Sequence, residues 1–476
     1  MKRWINLFFL IFLFNGSLFC QQAIDRHWNH LLGQTQFAHA QAGIQIVDVE
    51  TGEEVYGRNS EQLFIPASVM KLVTSAVALE MLGAEYRFLT RLGYSGKIVR
   101  GVLSGDLLII GGGDPALGSE YFNDPYFVPH FLETWAKQIK ALGINRVEGN
   151  LVLDGTWYDQ EKIPPTWVWE DMGNYYGAGT SALTVYDNLF RIHFRSPAKP
   201  GMPTEIVSVQ PEVEGLSFVN EVVSSDQNRD LAWVFGSPFD GARVIRGSIP
   251  KNRRLFTIKA SNPYPEKILA EDFLQFLARE GIFISGEIVC QPVHQEVFKQ
   301  VCLTESPPLS ELIQVVNHKS VNLFAEHLVK QVAAEKKGIG SRQEGLTLIT
   351  EFWKSKGLDV QRLFMEDGSG LSHFNAVSPA FLCSLLGYME HSSVYTSFYE
   401  SMPLAGSETL HVFRPANFPG KVIRAKSGSM TRVRSYAGYI QSGKGKKYTF
   451  AVMVNHFSGA PDELTATLEK IFSDLD

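Results

Sequence analysis

Cysteine is scarce in this chain: 476 residues hold four, and beyond Cys20 only Cys290, Cys302 and Cys383 remain. An odd and sparse set excludes the disulfide framework on which small exported domains rely. Cys290 and Cys302 can pair only if they lie on adjacent strands; buried free thiols are the other reading. An excess of basic residues is also missing. The 44 Lys and Arg face 50 Asp and Glu, a formal net charge of −6, which argues against a nucleic-acid partner. No CxxC or HExxH occurs, so neither a metal nor a cofactor is expected. His27 and His30 stand close together, but a chance pairing explains them better than a ligand set. After the N-terminus no apolar run approaches the roughly 20 residues that cross a bilayer. The acidic stretch Pro461–Asp476 offers no basic amphipathic anchor.

What is present fits a folded chain of several domains. Hydrophobic residues make up 45%, aromatic 12% and charged 20% of the total, which excludes disorder, collagen-like repeats and coiled coil. The first twenty residues, MKRWINLFFLIFLFNGSLFC, read as a secretory signal, with Lys2 and Arg3 ahead of a short apolar core from Trp4 to Phe14. Cleavage is expected near Cys20; Phe19 is a poor residue before a lipidated cysteine. Without this segment 42 basic residues face 50 acidic ones, a net charge of −8. The expected location is an exported, periplasmic one, soluble or loosely membrane-associated.

Along the chain, Ala42–Gly57 alternates as a β-hairpin around Glu50–Gly52, and FIPASVMKLVTSAVALEMLG is a buried helix entered after Pro66. Residues 94–154 hold short β-like runs and one helix near Pro129–Leu142; residues 181–256 are β-patterned. A helix and a strand follow over 263–290. After Pro307 come amphipathic helical patterns at Leu309–Val332, Arg342–Gly357 and Pro379–Glu390, then three strands and a last helix. A block of helices flanked by strands from both chain ends suggests one α/β domain split by a long insertion. The run Gly111–Gly113 is followed by no Gly-Lys-Ser/Thr, so a structural turn before Asp114-Pro115 is preferred to a phosphate cradle.

Three short motifs carry chemistry. Ser68 and Lys71 are three residues apart at the start of the apolar helix, so both side chains share a face. A serine hydroxyl needs a base to become a nucleophile, and a desolvated lysine can act as one. Ser320-Val321-Asn322 lies within a helical pattern, where Ser320 can relay a proton and Asn322 can hold a substrate carbonyl. Lys426-Ser427-Gly428 lies on an expected strand, where the lysine and hydroxyl can bind a terminal carboxylate and Gly428 lets a substrate backbone approach.

Ser-x-x-Lys, Ser-x-Asn and Lys-Ser/Thr-Gly in this order resemble the signature of penicillin-recognising serine enzymes. Ser68 to Ser320 is 252 residues and Ser320 to Lys426 is 106. The long first interval, with GDLLIIGGGDPAL, WVWEDMGNYYGAGTSALTVYDN, EDGSGLSHFNAVSP, MPLAGSETL and RAKSGSMTRVRSYAGYI, makes the chain similar to the class C low-molecular-mass penicillin-binding proteins, the D-alanyl-D-alanine carboxypeptidase/endopeptidase family. The resemblance implies an α/β catalytic domain, an antiparallel sheet flanked by helices, over 21–94 and 296–476. Nested in it are inserted domain II over 95–180 and 257–295 and a β-rich domain III over 181–256.

It also implies a serine D,D-peptidase that acts on peptidoglycan stem peptides and is acylated by penicillin. Ser68 is the implied nucleophile, Lys71 its base and Ser320 a proton relay; Asn322 orients the peptide. Lys426 and Ser427 hold the terminal carboxylate, Gly428 leaves room for the peptide, and the N–H groups of Ser68 and Ser429 form the oxyanion hole. Asp171 is the implied partner of a diaminopimelate amine. Three departures from the family pattern are His373 in place of an arginine, Thr431 in place of a longer amide and Ser427 in place of a threonine. Asp367 and Ser369 are expected to shape a turn. The rival readings are a catalytically silent peptidoglycan-binding scaffold and a β-lactamase, the latter without a Glu-x-x-Leu-Asn element to supply a second base.

Overall fold

The computed structural model describes residues 21–122 and 130–475. The expected secretory signal, with Cys20, lies outside the described residues. The chain forms two compact units. One takes the described part of Met1–Ala84 with Ile313–Val321 and Leu346–Asp476; the other takes Glu85–Leu312 and Asn322–Gly345.

The first unit is built on a five-stranded antiparallel sheet. Its order is Glu54–Arg58, Gln41–Asp48, Lys447–Asn455, Val433–Gln441 and Val422–Met430. The expected hairpin at the N-terminal end therefore pairs with the C-terminal strands. The helix Met70–Leu82 is apolar on every side and buries ten of its residues, as a helix must when it has no wet face. Under the sheet, Trp28 and Leu31 from a helix at 21–32 join Leu468 and Phe472 of the C-terminal helix Asp462–Asp474 in one core cluster.

The second unit contains the β-rich middle of the chain. A mixed five-stranded sheet runs Ile288–Cys290, Leu151–Asp154, Leu107–Ile110, Leu89–Tyr94, Lys299–Glu305. The outer strands of this order carry Cys290 and Cys302. Four strand spacings of about 4.8 Å separate them, far beyond the roughly 7 Å that a disulfide can span. The two thiols are free, and their pairing is ruled out by sheet order. Leu89–Tyr94 and Lys299–Glu305 pair with each other, and both strands lie in this unit. Two three-stranded sheets follow over Leu189–Ser261. Helices His130–Ala141 and Pro265–Arg279 meet through an edge-to-face contact of Trp135 and Phe273, 5.6 Å apart.

The glycines at 111–113 serve close packing. A Cβ on Gly111 would sit 2.3 Å from the Ala182 carbonyl, and one on Gly112 would sit 2.0 Å from that of Leu89. The helical pattern expected over Leu309–Val332 is two helices, Leu309–His318 and Asn322–Lys337. Ser320 breaks it with φ of +60°. Among the described residues no helix is long and apolar enough to cross a membrane.

Candidate active site

Pro66 leads into a short 3-10 turn, Ala67–Val69, that continues as the helix Met70–Leu82. Ala67 takes φ of +47°, a left-handed conformation that disfavours side chains by roughly 1–2 kcal/mol. The turn presents Ser68 half-buried and Lys71 fully buried on one face. Lys71 Nζ donates to Ser68 Oγ at 3.0 Å and to the Ser369 carbonyl at 2.7 Å. That is within the reach required for proton transfer between hydroxyl and amine.

The Ser369 carbonyl is held by its own loop. Buried Asp367 accepts from the N–H groups of Gly370 and Ser372 at 2.7 and 2.6 Å and from Asn375 at 2.8 Å. Thr74, one turn beyond Lys71, donates to the Gly368 carbonyl at 2.8 Å. Asp367 thus shapes the turn, while Ser369 also touches the lysine through its backbone. Sequence reasoning missed this contact because any residue type supplies a carbonyl. His373, on the same loop, is exposed.

The strand Val422–Met430 lies beside this turn. Lys426 is fully buried, and its Nζ donates to the Ser427 carbonyl at 2.8 Å. Burial first, and the charge of Lys71 second, hold its pKa well below the usual lysine value. Ser427 Oγ donates to the Thr409 carbonyl at 3.0 Å, while Ser429 is exposed. The Ser435 hydroxyl donates to the Pro66 carbonyl from the next strand.

Gly428 closes the joint. A Cβ there would meet Ser435 Oγ at 2.3 Å, the Pro66 carbonyl at 2.6 Å and the Ser68 nitrogen at 2.9 Å. Two of these atoms are backbone and cannot turn away. Gly428→Ala should therefore push the strand off the Ser68 turn and slow acylation by penicillin about 10²-fold. An unchanged second-order acylation rate would refute the close packing.

Ser320 belongs to the same unit, in the break between helices. Among the described residues, no hydrogen bond joins its hydroxyl to Ser68 or Lys71. Asn322 and Asp171 belong to the second unit. Asn322 opens the helix Asn322–Lys337 and donates to the Tyr176 carbonyl at 2.9 Å. Asp171, in the short helix Trp169–Met172, is buried and hydrogen-bonds the Tyr176 side chain. Burial and the neighbouring Asp171 carboxylate both raise the Tyr176 pKa. One tyrosine thus links two candidate residues that lie 151 positions apart.

Comparison with known proteins decides the family. The model of the D-Ala-D-Ala carboxypeptidase 3 (S13) family matches residues 22–472. The chain belongs to this family. Its relatives include the D-alanyl-D-alanine carboxypeptidase of Actinomadura sp. (strain R39), 30% identical over 435 residues, 88% of this chain and 78% of the relative. D-alanyl-D-alanine carboxypeptidase DacB of Haemophilus influenzae is 25% identical over 407 residues, 84% of this chain and 82% of the relative. In structure the chain is similar to penicillin binding protein 4 (dacB) from Haemophilus influenzae. The TM-score is 0.78 at 22% identity, covering 91% of this chain and 95% of that one. That protein has also been solved complexed with a β-lactam. The penicillin-recognising α/β fold expected from the motifs is the fold observed. The S13 match takes in parts of both compact units.

Proposed function

We propose that the chain is an exported serine D,D-peptidase of peptidoglycan stem peptides, with carboxypeptidase activity and endopeptidase activity on D-Ala-diaminopimelate cross-links. The carrying observation is the buried Lys71 amine, its Nζ 3.0 Å from Ser68 Oγ and able to take the hydroxyl proton in its neutral form, in a family of D-Ala-D-Ala carboxypeptidases. In this reading Ser68 Oγ attacks the carbonyl between the two D-alanines while Lys71 accepts its proton. The N–H groups of Ser68 and Ser429 stabilise the oxyanion, at about 3–4 kcal/mol per donor. Ser320 passes a proton to the departing amine, the C–N bond breaks and D-alanine leaves. Water then cleaves the acyl-serine ester.

Lys426 and Ser427 receive the terminal carboxylate, and its negative charge restores the protonation that burial opposes at Lys426. Asn322 orients the peptide. The same steps cleave a cross-link when the leaving amine belongs to another stem peptide. Penicillin, whose leaving group stays attached, remains at the acyl stage. Residues 21–94 and 296–476 are read as the catalytic domain, 95–180 and 257–295 as an inserted domain, and 181–256 as a further one nested within it.

Intact-mass measurement after incubation with penicillin, beside D-alanine release from a D-Ala-D-Ala peptide, tests this. One adduct on the peptide containing Ser68, with D-alanine released, is expected. Neither adduct nor D-alanine would favour a silent scaffold, and loss of the adduct within seconds a β-lactamase. Asp171 is assigned to the diaminopimelate amine. Asp171→Ala should lower kcat/KM roughly tenfold on diaminopimelate peptides and much less on a lysine-type analogue. Equal losses would remove that role.

A further inference from the structure

Besides Ala67, two residues of the first unit at the second and third motifs stand in the left-handed region. Ser320 has φ of +60°, and Glu408, one residue before Thr409, has φ of +45°. A glutamate gains nothing from this backbone conformation, which favours glycine. Its side chain is engaged instead: Lys319 Nζ, adjacent to Ser320, donates to the Glu408 carboxylate at 2.7 Å. The lysine holds the Glu408 carboxyl below its usual pKa. On the other side of Glu408, the Thr409 carbonyl accepts the Ser427 hydroxyl at 3.0 Å. The loop is hung on the third-motif strand by Ala425 N to the Pro403 carbonyl at 3.2 Å and Ala405 N to the Ile423 carbonyl at 3.0 Å.

We infer that Lys319 and Glu408 are a positioning pair that holds the Ser320 turn against the loop orienting the Ser427 hydroxyl. This rests on the reading of Ser320 as relay and Ser427 as carboxylate ligand. The ionic link runs from the residue before Ser320 to the residue before Thr409, so it couples the two motifs without touching substrate. As the Ser427 proton points to Thr409, the hydroxyl must turn to meet a carboxylate. The distance between the two turns governs how readily it does so. Both side chains are well exposed, and such pairs add little to global stability. Their effect falls on the geometry of the site.

The test uses the full chain and penicillin acylation rates. Lys319→Ala and Glu408→Ala should each slow acylation about three- to fivefold at low salt, the most an exposed pair supports. The exchanged double variant K319E/E408K should recover to within about twofold of wild type. Raising ionic strength should slow the wild type toward the single variants and leave those variants unmoved. Glu408→Gly separates positioning from stability: it relieves the left-handed strain and should raise Tm, yet acylate as slowly as Glu408→Ala. Single variants that acylate at the wild-type rate, or a swap that fails to recover, would overturn the pair alone. A wild-type protein that penicillin does not acylate would overturn the proposed function and this inference with it.

Discussion

Ser68→Ala should take up no covalent penicillin and release D-alanine at least about 10⁴-fold more slowly than wild type. The substitution removes one oxygen from a half-buried turn and leaves the Lys71 bond to the Ser369 carbonyl in place. The fold should therefore persist, with only the lost hydrogen bond, about 1 kcal/mol, to register in Tm. Lys71 Nζ lies 3.0 Å from this hydroxyl. Ser427 is turned toward Thr409 and Ser320 sits in a separate turn, so neither is set to replace the nucleophile. Intact-mass analysis decides the matter. An adduct that survives in the variant, at Ser320, Ser427 or Ser429, would reassign the reaction.

Lys71→Met should slow acylation by about 10³-fold, within the range that loss of a general base produces. Methionine keeps an unbranched apolar stem in a fully buried site and removes only the amine, so cavity formation is small. The Ser369 carbonyl is left without its lysine donor, which should lower stability by about 1–3 kcal/mol. The charge of Lys71 is the second cause, after burial, of the low pKa of Lys426. Its removal lets that pKa rise, which favours the charged form of Lys426. The KM for a carboxylate-bearing peptide should then hold or fall while kcat collapses. Stopped-flow acylation and steady-state kinetics on one preparation separate the two. Acylation at the wild-type rate would show that another group removes the Ser68 proton.

Much of this molecule was legible before any coordinate. The helix after Pro66 was legible because thirteen mostly apolar residues run on to Gly83 without a polar face. The hairpin at 41–58 and the final strands were legible from alternation and turn residues. The resemblance rested on ordered strings of sequence, and the family match agrees with it.

Three features were not legible, each for a stated reason. The break at Ser320 was invisible because Ser320 takes φ of +60° without a glycine to announce it, inside a helical period. The carbonyls of Ser369 and Thr409 could not be foreseen, because backbone groups carry no sequence signal. The Cys290–Cys302 question turned on strand order, since eleven intervening residues are compatible with adjacent or with opposite edge strands.

By itself, then, the sequence determined which chemistry-bearing residues exist, in what order, and which of them share a helical face. That Ser68 and Lys71 share a face follows from their spacing of three, which is a local property. Only the tertiary structure decided that Lys71 meets the Ser369 carbonyl 298 residues away, that Gly428 leaves no room for a Cβ against Ser68, and that Asp171 and Asn322 share Tyr176. Those contacts depend on burial and loop closure between distant segments. Such terms arise only when the whole chain packs, and no local pattern encodes them.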